Sequence, residues 1–411
     1  MKKMAMRKAF LVTGMYLLAG MVVARAMAAD GISERANRLH FSSLVIDTHD
    51  DTTQRFLDGG FDLGARNPLG SIDIPRMREG GLGAIFFAIW LPSKITGPEA
   101  VKRALDQIDA VRERVRKDSN DLALVTTVEG IQEAHKQGKI GALIGVEGGH
   151  IIASDLSMLR VYAALGARYM TLTHSGNAEW ADSSTAKPEH NGLTEFGKDV
   201  VREMNRLGMI VDISHVSDKT FSDVLEISKA PVFASHSDCR AICDSPRNMS
   251  DDMIRALAAK GGVIQINYHV GFLSQDFRNA EKAHPEWEKM IALEIQKRCG
   301  AREGCQLIEG DRITREYVER GDLPRVEWTK IIDHIDHAVK IAGIDHVGLG
   351  SDFDGANMPF GMEDASKLPR ITQALLDRGY SEGDVKKILG ENTLRVMAQV
   401  ERVSHGLTSL K

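Results

Sequence analysis

Eight side chains carry most of the chemistry this sequence could do: His49, Asp51, Glu147, His174, His215, His236, Arg247 and Asp352. His49 and Asp51 form a His-x-Asp pair. In an extended segment alternate side chains share one side, so both can reach a single ion. Glu147, His215 and His236 each follow an apolar run. Imidazoles combined with a carboxylate suit Zn²⁺, and a carboxylate lying between two ions can bridge them. Asp352 sits in Asp352-Phe353-Asp354-Gly355, directly after the short apolar stretch Val347–Leu349. Taken singly, each histidine reads as a polar loop residue and Asp352 as a turn cap. Their recurrence at the ends of successive apolar runs favours one shared site, because a charged cluster crowded together without an ion is electrostatically costly.

Eight apolar runs must position these residues. They are 43–47, 83–90, 141–146, 169–173, 209–214, 231–235, 263–268 and 347–350. Each is short and nearly continuous in apolar residues, as strands buried on both faces are. Helical patterns separate most of them, including 97–117, with Val101, Leu105, Ile108 and Val111 on one face, then 156–165, 198–207 and 251–260. Eight β/α alternations predict an α/β fold, a (β/α)8 TIM-type barrel, whose strand C-termini gather at one mouth. An open doubly wound sheet would want a Gly-x-Gly-x-x-Gly loop after an early strand, and the sequence has none. Ser/His/Asp chemistry of the hydrolase kind would want a Gly-x-Ser-x-Gly elbow, which is also missing.

Residues 1–29 combine Lys2, Lys3, Arg7 and Lys8, an apolar run from Ala9 to Ala24, and Ala26-Met27-Ala28-Ala29. This is the pattern of a cleaved secretory signal, the competing reading being an uncleaved anchor. No Cys follows the apolar run and the C-terminus carries no hydrophobic tail, so the mature chain is expected to be exported, periplasmic or secreted, without a stable membrane anchor. Its removal takes five positive charges and shifts the net charge from −5 to −10. That balance argues against nucleic acid or an anionic membrane surface as partner. About 380 residues remain, with no Ser/Gly/Pro-rich linker and no repeat, which favours one barrel domain over residues 30–411. The four cysteines, Cys239, Cys243, Cys299 and Cys305, suggest disulfides in an oxidising compartment, with all three pairings open.

Several stretches together resemble the renal (membrane) dipeptidase family of zinc peptidases in the amidohydrolase superfamily. They are Ile46–Asp51, Gly145–His150, Thr171–Ser175, Ile213–Ser217, Ala234–Ser237, Ser245–Asn248 and Gly350–Gly355. The likeness runs from about residue 40 to about residue 400. It implies two Zn²⁺ per chain, one on His49 and Asp51, one on His215 and His236, bridged by Glu147. It also implies that His174 contacts the scissile group, Arg247 the substrate carboxylate, and that Asp352 is the acid/base carboxylate. The expected reaction is hydrolysis of dipeptides by a metal-bridged hydroxide. Arg247 matters most for that assignment, since a planar guanidinium fork matches a free C-terminal carboxylate. Its competing role is a structural bridge to Asp244 or Asp251.

Two other functions fit the same residues: an amidohydrolase for acylated amino acids or β-lactams, and a non-catalytic periplasmic peptide-binding protein. Retention of Asp352 favours an enzyme, because a binder has no need of an acid/base. Residues 271–325 form a long insertion after the seventh predicted strand, able to act as a lid or an oligomer contact, so a homodimer stays open. His334 and His337 lie three apart beside Ile331, Ile332, Ile335 and Val339, which marks a packing helix rather than a metal site. His150 reads as a support for the site, and Leu389–Asn392 as a helix turn without a role.

Overall fold

The computed structural model describes residues 31–409, so the expected leader over residues 1–29 lies outside the described residues. Nine strands appear: β1 Val45–Asp50, β2 Leu82–Trp90, β3 Leu122–Leu124, β4 Ile140–Glu147, β5 Ala167–Thr171, β6 Ile210–Asp212, β7 Phe233–Ser237, β8 Val263–Ile266 and β9 Val347–Leu349. All pairings between them are parallel. Eight follow one another in the order β1-β2-β4-β5-β6-β7-β8-β9, while β3 pairs with β4 off that path. The eight on the path are the eight expected from the sequence. β3 is not among the eight expected runs.

The first and last strands meet through backbone bonds from Asp51 N to Phe353 O (2.9 Å) and from Asp352 N to His49 O (3.0 Å). Side chains reinforce that seam. Asp47 Oδ1 accepts from Ser351 N at 2.8 Å, and Thr48 Oγ1 donates to Leu349 O at 3.0 Å. The sheet thus curls into a nearly closed parallel (β/α)8 barrel, and the two backbone segments bearing His49, Asp51 and Asp352 lie side by side.

Strands β2 and β4 are buried along almost their whole length, as expected when helices cover one face and the barrel interior the other. The interior is packed rather than open. Phe86, Tyr169 and Phe233 pack across it, the first pair tilted and the second edge-to-face, with ring centroids 5.2 and 5.4 Å apart. Below them the C-terminal helix Asn392–Thr408 buries Val396, Met397 and Val400 in the same cluster. Asn392 ties this helix to the barrel by donating to Ile344 O (2.8 Å) and Val347 O (2.9 Å), which gives the turn left without a role a structural one. Side-chain caps such as Thr194, Ser217 and Ser250 start the surrounding helices and fix where each loop ends.

Between β8 and the helix Thr329–Ala342 lie four helices, Val270–Leu273, Gln275–Ala283, Pro285–Cys299 and Glu303–Glu319. A Cys299–Cys305 disulfide closes the hairpin of the last two, while Cys239 and Cys243 are buried free thiols. His334 packs in the core, accepting from Cys239 N (3.1 Å) and lying 3.1 Å from Leu273 O, and His337 pairs with Asp251 at 2.7 Å. Both are structural.

Candidate metal centre and active site

The C-terminal strand ends bring together all eight residues singled out in the sequence except Arg247, which arrives from the loop after β7. Glu147 is central. Its Oε2 faces His49 Nε2 at 3.5 Å, and its Oε1 faces His215 Nε2 at 2.9 Å, His236 Nε2 at 3.3 Å and His174 Nε2 at 3.8 Å. Asp51 Oδ1 lies 3.7 Å from His49 Nε2. Three overlapping groups, His49–Asp51–Glu147, Glu147–His215–His236 and His49–His236–Asp352, hold ligand atoms within 4.8 Å of one another. The third group adds something to the sequence reading, since Asp352 stands within ligand range and not only beside the ions.

The donor set fits divalent cations. His49 Nε2 and Asp51 Oδ1 are buried and have no hydrogen-bond partner among the described residues. His215 Nε2 and His236 Nε2 face each other at 2.9 Å, where two lone pairs repel unless a proton or a cation intervenes. The charges say the same. Burial pulls His49 down, yet Glu147, Asp51 and Asp352 push it up to about 10. Burial would raise Glu147, yet His49, His174, His215 and His236 hold it well below the usual carboxylate range. Burial lifts Asp51 well above that range and lowers His215 and His236. A pocket that raises an imidazole while depressing the adjacent carboxylate favours added positive charge, which a divalent ion supplies.

The imidazoles are aimed by residues the sequence reading passed over. Tyr169 Oη lies 2.8 Å from His49 Nδ1, which leaves Nε2 to point into the site. The phenol reaches that far because Gly145 has no side chain: a Cβ there would stand 2.0 Å from Tyr169 Cζ. Ser235 Oγ donates to Asp212 Oδ2 at 2.6 Å, so it accepts from His236 Nδ1 at 2.7 Å, fixing the tautomer whose Nε2 is free. Asp212 also accepts from Ser235 N (2.8 Å), Ser214 N (3.1 Å) and the Thr171 hydroxyl. Asn267 Nδ2 donates to Asp352 Oδ2 at 2.9 Å. None of these carried a sequence signal, since Tyr169, Asp212, Ser235 and Asn267 sit inside runs that read as ordinary strand.

His215 and Asp352 adopt left-handed backbone, with φ of 66° and 65°. That conformation is uncommon outside glycine and here turns each side chain back over the mouth. Gly355 follows with similar economy of space, because a Cβ there would lie 1.6 Å from Asp51 Oδ2. Arg247 is buried and points inward. It donates to His236 O (3.1 Å) and stands 5.2 Å from the Phe272 ring centroid. It pairs with no carboxylate among the described residues, so the expected alternative of a bridge to Asp244 or Asp251 does not hold. His150 is buried, and burial lowers it to about 4. It stands outside the three ligand groups.

A parallel barrel with histidines and carboxylates converging at its C-terminal mouth defines a metal-dependent hydrolase. The sequence matches the family Membrane dipeptidase (Peptidase family M19) over residues 33–410. Dipeptidase 3 of Macaca fascicularis is 34% identical over 383 residues, which span 90% of this chain and 68% of that protein. Among solved structures, the probable dipeptidase PvdM from Pseudomonas aeruginosa superposes with a TM-score of 0.76 at 27% identity, covering 90% of this chain and 98% of that one. A metallo peptidase from Rhodobacter sphaeroides, liganded with a phosphinate mimic of the dipeptide L-Ala-D-Ala, gives 0.71 at 25% identity, covering 87% and 99%. The chain belongs to peptidase family M19 and is a metallodipeptidase.

Proposed function

We propose that this chain is an exported dipeptidase holding two zinc ions, one on His49 and Asp51 and one on His215 and His236, with Glu147 bridging. The observation that carries the reading is the split of Glu147, whose two oxygens face different donor pairs, His49 on one side and His215 with His236 on the other. Ions held by these residues would supply the Lewis acidity that brings the pKa of a shared water towards ~7, and so a hydroxide nucleophile for the peptide carbonyl at neutral pH. His174, partly open to the cavity, donates to the developing oxyanion. Asp352, oriented by Asn267, takes a proton and delivers it to the leaving amine. Arg247 receives the free carboxylate of the substrate, and the lack of any carboxylate partner for this buried guanidinium among the described residues supports that role.

Export rests on the leader pattern of residues 1–29, and the Cys299–Cys305 disulfide supports it. Two measurements test the proposal. Mature protein recovered from the exported fraction should begin at Asp30. Metal-replete enzyme should cleave dipeptides far faster than the same dipeptides amidated at the C-terminus or simple acyl-amino acids. Equal rates on free acid and amide would remove Arg247 from substrate binding and replace the dipeptidase assignment with a general amidase.

A further inference from the structure

We infer that Leu307 limits the size of the amino-terminal residue that the site accepts, making short residues such as Gly, Ala and Ser the preferred first position. The inference rests on the dipeptidase reading above and names its substrate class more closely. Leu307 lies on helix Glu303–Glu319, in the insertion, and this helix is fastened to the segments after β1 and β9 and to helix Gly97–Lys117. At one end Cys305 N donates to Asp58 Oδ2 (2.7 Å), and Arg103 donates to both oxygens of Glu303 at 2.7 Å. Gly304 packs so tightly on the short helix Thr53–Leu57 after β1 that a Cβ would stand 2.8 Å from Arg55 Cα. Two turns on, Asp311 Oδ1 accepts from Met358 N (2.8 Å) and Arg315 donates to Met358 O (2.9 Å), in the loop that follows Asp352.

Positions 304, 307, 308 and 311 share one helical face, so these ties turn Leu307 and Ile308 inward. Leu307 and Ala356 line the cavity of about 210 Å³ that contains Glu147, His174 and Arg247. Both also line a neighbouring chamber of about 220 Å³, whose walls include Arg76, Asp311, Arg315 and Asp354. They are therefore the partition between the two. A cavity of 210 Å³ is small beside the roughly 300–1,000 Å³ of ordinary ligand pockets, so the room beside its Leu307 wall suits a short side chain. Arg247 comes from the β7 side, separated from β1 by β8 and β9, whereas Leu307 is held from the β1 loop. With the carboxylate on Arg247, the amino-terminal residue faces Leu307.

The test compares kcat/KM of the full-length, metal-replete enzyme on Ala-Ala, Phe-Ala and Ala-Phe. Leu307→Ala joins the chamber to the cavity and should raise the Phe-Ala to Ala-Ala ratio at least about tenfold, while leaving the Ala-Phe to Ala-Ala ratio near that of the parent. Leu307→Phe should shift the first ratio the opposite way, which keeps the idea testable if the alanine variant folds poorly. Ile308→Ala, which widens only the chamber, should leave both ratios unchanged. An unchanged Phe-Ala ratio in folded Leu307→Ala, an equal shift for Ala-Phe, or the same shift from Ile308→Ala would each overturn the inference while the dipeptidase reading stands. A parent that hydrolyses none of the three removes both.

Discussion

The two sides of Glu147 are built on different principles. His49 and Asp51 come from the end of one strand, are separated by one residue, and are both buried. The His49 ring is held from behind by Tyr169. His215 and His236 come from two strands, and His215 stands in left-handed backbone with 11% of its side chain exposed. His236 is braced by Ser235 and Asp212, but His215 Nδ1 has no hydrogen-bond partner among the described residues. One side is thus a local device set by the strand's period of two; the other is assembled by tertiary structure and braced on one imidazole only.

Glu147 joins the two sides, so its loss should have the largest effect. Glu147→Ala is expected to lose affinity for both ions and to fall further in activity than the roughly 10²–10⁴-fold of a missing acid or base. Elemental analysis finding one tightly held ion in that variant would mean the sides are independent. Asp352→Asn should lose about 10²–10⁴-fold in kcat while folding and keeping its metal. Because Asp352 lies within ligand range of His49 and His236, a drop in metal content would reassign it as a ligand. Arg247→Ala should cost dipeptides roughly ten- to a hundredfold in kcat/KM, from about 1.5–3 kcal/mol of charge-assisted bonding, and barely alter the slow reaction of the amidated analogue.

The smallest effect sharpens the contrast most. Tyr169→Phe removes the bond behind His49, and Ser235→Ala the one behind His236. Each should weaken one ion by about 10–100-fold and leave kcat at saturating metal nearly intact. Metal titrations in which both variants release the same ion would collapse the distinction between the sides.

The same contrast explains what was legible in the sequence. His49-x-Asp51 announces itself, because two ligands at strand spacing need no knowledge of the fold. Glu147, His174, His215, His236 and Asp352 were found as terminators of apolar runs, which works because a barrel gathers its strand ends. Tyr169 was invisible for the converse reason: it lies inside a run, and only the missing side chain of Gly145 on the neighbouring strand lets its hydroxyl through. The bracing by Asp212 and Ser235 depends likewise on contacts between strands. The insertion was recognised by its length, but its fastening to Asp58 and Met358 could not be read from helical periodicity.

The disulfide between Cys299 and Cys305 has a practical side. It joins the two helices at the end of the hairpin that docks on the loop bearing Asp51, while none of the barrel's own strands carries such a bond. A preparation from a reducing cytoplasm begins with two thiols at this position, and one from an oxidising compartment begins with the hairpin already closed. The choice of expression host therefore becomes an experimental variable, and free-thiol titration belongs beside metal analysis as a check on every batch before its rates are compared.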